Sequence, residues 1–192
     1  MQQIFLEQNS HLRSTTMIDG LLKAKRIAVI GNQGAGKTTL AVKLSGILDI
    51  EFVEIYWRAN ITIEQEAQAV KECTLQKESW IIDGDFGLLE FADTVIFIDF
   101  PLFLCLTGVI KRSLNYMKDW NFVSLKTYLQ IPAKIVERVL FFKEVIQYRS
   151  KDEPAMLAKI GISKQQQNKI TLKSRKDAQL LIESLNLAKA KH

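Results

Sequence analysis

Two cysteines in 192 residues are too few for a disulfide framework. Cys73 and Cys105 lie far apart in apolar surroundings without metal-ligand spacing, so both read as buried thiols of a reducing compartment. Nine glycines and three prolines leave little room for long disordered stretches. There is no internal repeat and no low-complexity linker; 164–168 (KQQQN) reads as a polar loop. No run is long enough to cross a bilayer: the most apolar, Thr94–Ile110, contains Asp99 and Pro101 and falls short of the ~20 apolar residues required. Met1–Asp19 mixes polar residues throughout and lacks the continuous apolar core of a secretory signal. These absences lead to the expectation of a cytoplasmic chain with no membrane partner.

Hydrophobic residues make up 47% and charged residues 24%, ordinary for a soluble globular domain. The net charge of +5 is uneven. Residues 1–150 hold 17 basic and 17 acidic side chains, whereas 151–192 hold 9 basic and 4 acidic. The basic C-terminal segment, with Lys173, Arg175 and Lys176, is either a solvated helix face or a contact for nucleic acid. The solvated face is favoured, because no aromatic-interleaved basic stripe accompanies it.

Short apolar runs alternate with amphipathic segments. Arg26–Ile30, Glu51–Trp57, Trp80–Asp83, Thr94–Asp99 and Lys169–Leu172 read as strands. Helices are predicted over Lys37–Leu48, from Thr62 (with Gln65 as a capping box) to about residue 78, over Leu102–Lys118 and Ile135–Tyr148, and after Ser174, which caps with Asp177. On Leu102–Lys118 the predicted inner stripe is Leu102, Leu106, Val109, Ile110, Leu114 and Met117. This pattern predicts an α/β fold with a five-stranded parallel sheet covered by helices on both faces. Residues 1–25 read as an N-terminal extension with a short helix near 19–25, and 26–192 as one compact domain.

Gly31-Asn32-Gln33-Gly34-Ala35-Gly36-Lys37-Thr38 matches G-x-x-x-x-G-K-[ST], directly after an apolar strand and directly before a periodic helix. Polyphosphate is a dense anion, and backbone N–H groups must converge on it without intervening side chains. Gly34 and Gly36 permit that approach, and the helix start adds unpaired N–H groups and the positive end of its dipole. Lys37 is expected on the β- and γ-oxygens, Thr38 on Mg2+, and Thr39 near the α-phosphate. Such a loop needs an acid at a neighbouring strand end to orient the metal. Asp83, ending a strand before Gly84, is preferred to Asp99 and Asp85. Arg112 is the cation chosen to neutralise a transferring phosphoryl group, ahead of Lys111, Arg138 and Arg149.

The order of the phosphate loop, an aromatic strand ending in Trp57, Trp80–Gly84, Phe91–Asp99, Cys105-Leu106 and Lys111-Arg112 resembles the adenylate-kinase-related DNA topology modulation proteins over about 26–187. More broadly it is similar to nucleoside and shikimate kinases. The resemblance implies a nucleoside-monophosphate-kinase-like P-loop fold with a helical lid region, ATP (or GTP) with Mg2+, and an unidentified small-molecule acceptor near Glu54–Arg58 and Asp83–Phe86. The sequence departs from that group: 85–90 carries no arginine, Pro101 is followed by Leu102, and strand two ends near Glu54 or Tyr56. The expectation is therefore an ATP-dependent kinase, with a nucleotide-binding regulator lacking a working acceptor site as the alternative.

Overall fold

Strict alternation along the strands splits their side chains between two cores. Ile27, Val29, Ile81, Ile96, Ile98, Ile170 and Leu172 belong to one cluster; Ala28, Ile30, Trp80, Ile82, Val95 and Phe97 belong to the other. A strand buried on both faces needs helices on both sides, and the structure supplies them. It is a computed structural model that describes residues 15–53, 63–84, 87–118, 131–162 and 168–191.

The elements in chain order are α1 (Thr15–Leu22), β1 (Arg26–Gly31), α2 (Lys37–Leu48), β2 (Phe52–Val53), α3 (Ile63–Leu75) and β3 (Trp80–Asp83). A 3-10 turn at Leu89–Phe91 leads to β4 (Thr94–Ile98), then α4 (Leu102–Lys118), α5 (Ile131–Lys151), α6 (Glu153–Ile162), β5 (Asn168–Leu172) and α7 (Arg175–Lys189). The sheet is all parallel, in the order β2-β3-β1-β4-β5. The chain thus places β1 at the centre and crosses over to reach both flanks, which creates a crevice at the carboxyl ends beside β1. This is the expected α/β fold.

On one face lie α1, α2, α4, α5 and α7 through Leu21, Leu44, Cys105, Val145 and Leu181. On the other, Val70 of α3 and Leu89 are buried and Met156 of α6 packs against them. The Ser174 cap forms as predicted: Asp177 N–H donates to Ser174 Oγ at 3.2 Å, while Lys173 N–H donates to the Asp177 carboxylate at 2.9 Å.

Three local expectations shift. The N-terminal helix spans Thr15–Leu22 rather than 19–25, and Ile18 and Leu21 are buried in the same cluster as the sheet. Of the stripe assigned to the buried side of α4, Val109 is buried as expected, but Leu102 and Ile110 are 36% and 46% exposed, and Cys105, outside that stripe, is buried. The reason is close helix-to-loop contact at Gly108, described below, which turns the small-residue face of α4 inward. Helix α6 follows α5 after a single turn residue, a break that periodicity alone does not reveal. The predicted features at 1–14, Glu54–Trp57, Arg58, Thr62, Asp85, Phe86 and 164–167, and the side chains of Cys73 and Arg138, lie outside the described residues.

Leu21 is fully buried, so truncating it removes packing between α1 and the main core. Leu21→Ala is expected to lower stability by about 2–5 kcal/mol, read as a lower urea midpoint. An unchanged midpoint would show that α1 is an appendage.

Candidate functional site: a phosphate loop wedged between two helices

The loop leaves β1 at its carboxyl end and enters α2 at Lys37. Gly36 is the residue preceding that helix, with φ 94°, a left-handed conformation that a side chain would strain. An added Cβ there would meet no atom within 4 Å, so the space above Gly36 is open to a ligand. Gly34 is different. Its φ is 76°, and a Cβ would fall 2.2 Å from the Cys105 carbonyl oxygen and 2.7 Å from Val109. Gly108 returns the contact, since a Cβ on it would lie 2.1 Å from Gly34 O. Two glycines, on the loop and on α4, allow backbone to pack directly on backbone.

The N–H groups of Gly34, Gly36, Lys37, Thr38 and Thr39 donate to no described acceptor. The first intrahelical bond nearby is Leu40 N–H to Gly36 O at 3.0 Å. A loop and helix start with several free donors form an anion cradle. Asn32 braces its other side. Its side-chain oxygen accepts from Gln33 N–H at 2.7 Å, its side-chain NH2 donates to Val145 O of α5 at 2.9 Å, and its own carbonyl accepts from Ala35 N–H at 3.3 Å.

Lys37 Nζ donates to Asn32 O at 3.2 Å. Burial of the amine lowers its pKa from 10.5 to about 8, opposed by the Asp83 carboxylate and reinforced by the Arg112 guanidinium. The Asp83 carboxylate and the Arg112 guanidinium are thus both within electrostatic reach of the loop lysine. Arg112 follows Gly108 by four residues on α4, so both share the face turned to the loop.

Thr38 Oγ donates to Asp83 Oδ2 across 45 residues of sequence. Asp83 ends β3 next to Val29 of β1, and Gly84 N–H donates to Val29 O at 3.0 Å. Thr38 and Asp83 give one hydroxyl and one carboxylate side by side, hard oxygen donors of the kind Mg2+ takes. Among the described residues no cluster of three His, Cys, Asp or Glu side chains is present.

Asp99 has another partner. Arg149 of α5 bonds its carboxylate at 2.7 Å and lies 3.6 Å from Glu153 of α6. A cavity of about 240 Å3 sits beside this pair, lined by Asn32, Phe97, Asp99, Phe100, Tyr148 and Arg149 among others. The sequence reading missed Gly108, Val145 and the Asp99–Arg149 pair. Only Cys105-x-x-Gly108, a small-residue face at helical spacing, gave a signal for the first; the others join positions too distant in sequence for spacing to reveal.

No protein-family model matches the chain, and no curated protein does, so the likeness to DNA topology modulation proteins rests on the residues quoted above. Among solved structures, the chain is similar to a shikimate kinase from Acinetobacter baumannii in complex with shikimate, with 14% identity, a TM-score of 0.45, and coverage of 91% of this chain and 98% of that one. It is also similar to a deoxyadenosine kinase from M. mycoides with bound dATP, with 13% identity, a TM-score of 0.44, and coverage of 84% and 99%. A shikimate kinase from Aquifex aeolicus gives 17% identity, a TM-score of 0.43, and coverage of 86% and 96%. At such identities and TM-scores the likeness says nothing about what this chain binds. Among the described residues no helix is long and apolar enough to cross a membrane.

Two outcomes follow from this geometry. Gly108→Ala forces the loop and α4 apart, and is expected to weaken MgATP binding about tenfold, the scale of a 1–3 kcal/mol overpacking cost; affinity equal to wild type would show the contact to be dispensable. The second concerns pH. Only the protonated Lys37 amine attracts phosphate, so affinity should decline as pH rises through about 8, and Lys37→Arg, which stays charged, should flatten the profile. The unfolded chain still holds this proton up to about 10.5, so Lys37's contribution to stability rises with pH across the window from 8 to 10.5.

Proposed function

We propose that the chain is an ATP-dependent phosphotransferase for a small-molecule or nucleotide acceptor, with Mg2+ as the metal and ATP or GTP as the donor. One observation carries the reading: Thr38 and Asp83, distant in sequence, meet beside a half-buried Lys37 of lowered pKa at the mouth of an open N–H cradle.

The roles follow from the chemistry. The backbone of Gly31–Thr39 binds the phosphates, and Lys37 exchanges its bond to Asn32 O for the β- and γ-oxygens. Thr38 and Asp83 hold Mg2+, which offsets negative charge on the phosphates. Arg112 approaches the γ-phosphoryl from α4 and stabilises charge that grows during transfer. Phosphoryl transfer asks for positioning and electrostatic stabilisation more than for covalent chemistry from the protein. The acceptor is expected near Glu54–Arg58 and Asp83–Phe86, most of which lie outside the described residues; the cavity beside Asp99 and Arg149, lined in part by Asn32 of the loop, is a second space to test. The residues that resemble DNA topology modulation proteins support a kinase-related reading.

A second reading, a nucleotide-binding regulator, draws on a specific feature. Arg149 is already paired with Asp99 and Glu153, and 85–90 contributes no arginine.

A coupled assay over nucleosides, nucleotides and small alcohols separates the two. Acceptor-dependent ADP release is expected, reduced about a hundredfold or more by Lys37→Ala and by Asp83→Asn. MgATP binding that no acceptor in the panel converts to turnover would favour the regulator.

A further inference from the structure

Asn32 makes more contacts than a phosphate loop requires of its second residue. The residue is buried, and its side-chain NH2, its side-chain oxygen and its backbone carbonyl are all engaged. One of those bonds leaves the loop altogether: Nδ2 reaches Val145 O, 113 residues away, on a fully buried residue of α5. Val145 O is also the carbonyl that an α-helix offers to the N–H four residues on, which is Arg149. Arg149 is the residue whose guanidinium holds Asp99 and reaches Glu153. From the loop lysine, a continuous path of bonds therefore runs through Asn32 O, the Asn32 amide and Val145 O to the helical turn that carries Arg149.

The loop cannot yield freely in the other direction. Gly34 is pressed against α4, with no room for even one carbon atom between Gly108 and Gly34 O. A change in the loop on the Asn32 side is therefore passed to α5 rather than absorbed. Polyphosphate supplies such a change, because it draws Lys37 Nζ away from Asn32 O, where the amine rests in this structure.

We infer that Asn32 is a positioning residue that couples polyphosphate occupancy of the loop to α5, and through α5 to Arg149. This rests on the nucleotide-binding reading, yet the bond between Asn32 and Val145 exists without ligand and is testable by itself. The two functions of the side chain are also separable. A serine at 32 keeps an oxygen able to accept from Gln33 N–H but has no donor that reaches α5. An alanine keeps neither.

Hydrogen exchange of the α5 amides at 143–149 is measured for wild type, Asn32→Ser and Asn32→Ala, with and without MgATP, alongside calorimetric titration. In the absence of ligand, both variants are expected to exchange these amides about threefold faster or more than wild type, while amides of β1 and β4 are unchanged. Equal rates at 143–149 in all three proteins would overturn the inference. With MgATP at a concentration that calorimetry shows to saturate each protein, wild type should show at least an about threefold change in these rates, and Asn32→Ser, whatever its affinity, should lose most of that change. Ligand-induced change of wild-type size in Asn32→Ser would equally overturn it, as would a uniform rise in exchange across the whole sheet, which marks a general structural role. If wild type gives no heat with MgATP, the nucleotide reading fails, and the ligand-free comparison still decides whether Asn32 fastens α5 to the loop.

Discussion

A chain that binds polyphosphate must bring several backbone N–H groups to one point and leave them without partners, an arrangement that folding otherwise avoids. The loop after Ile30 meets this constraint by being held from three sides. Gly34 lies on Gly108, Asn32 is fastened to Val145, and Thr38 is fastened to Asp83. The surrounding architecture serves those contacts. The central position of β1 sets β3 on one flank to deliver Asp83 and β4 on the other to launch α4. Removing the small residues at Cys105 and Gly108 would turn α4 and unseat the loop.

The same constraint accounts for the electrostatics. A lysine drawn into the cradle loses hydration, and the Asp83 carboxylate only partly offsets that loss, so its pKa settles near 8 rather than 10.5. The amine is charged but poorly compensated at neutral pH, and an incoming anion relieves the deficit. Arg112 adds positive charge at the same mouth and lowers the lysine's pKa further. Both effects favour a ligand that carries several negative charges at once.

Much of this was legible in the sequence because it is local. The glycine spacing, Lys37 and Thr38 declare the loop; the short apolar runs declare β1, β3, β4 and β5; Ser174 and Asp177 declare the start of α7. What was hidden depends on contacts between distant segments. Ile18 and Leu21 look like part of a weakly patterned leader until α7 and β5 close over α1. The stripe read on α4 joins Leu102 and Ile110 to the correctly placed Val109, and only the approach to Gly34 shows that Cys105 and Gly108 complete the inner face instead. Asp83 was preferred to Asp99 on strand-end geometry; the pairing of Asp99 with Arg149 came from a helix 50 residues later, beyond the reach of spacing rules.

Calorimetric titration of the full chain with MgATP at neutral pH tests the cradle most directly. The account predicts saturable binding at one site, with a dissociation constant on the order of 1 µM to 1 mM and weaker binding when EDTA removes the metal. No heat with millimolar ligand, or affinity untouched by Lys37→Ala, would contradict it.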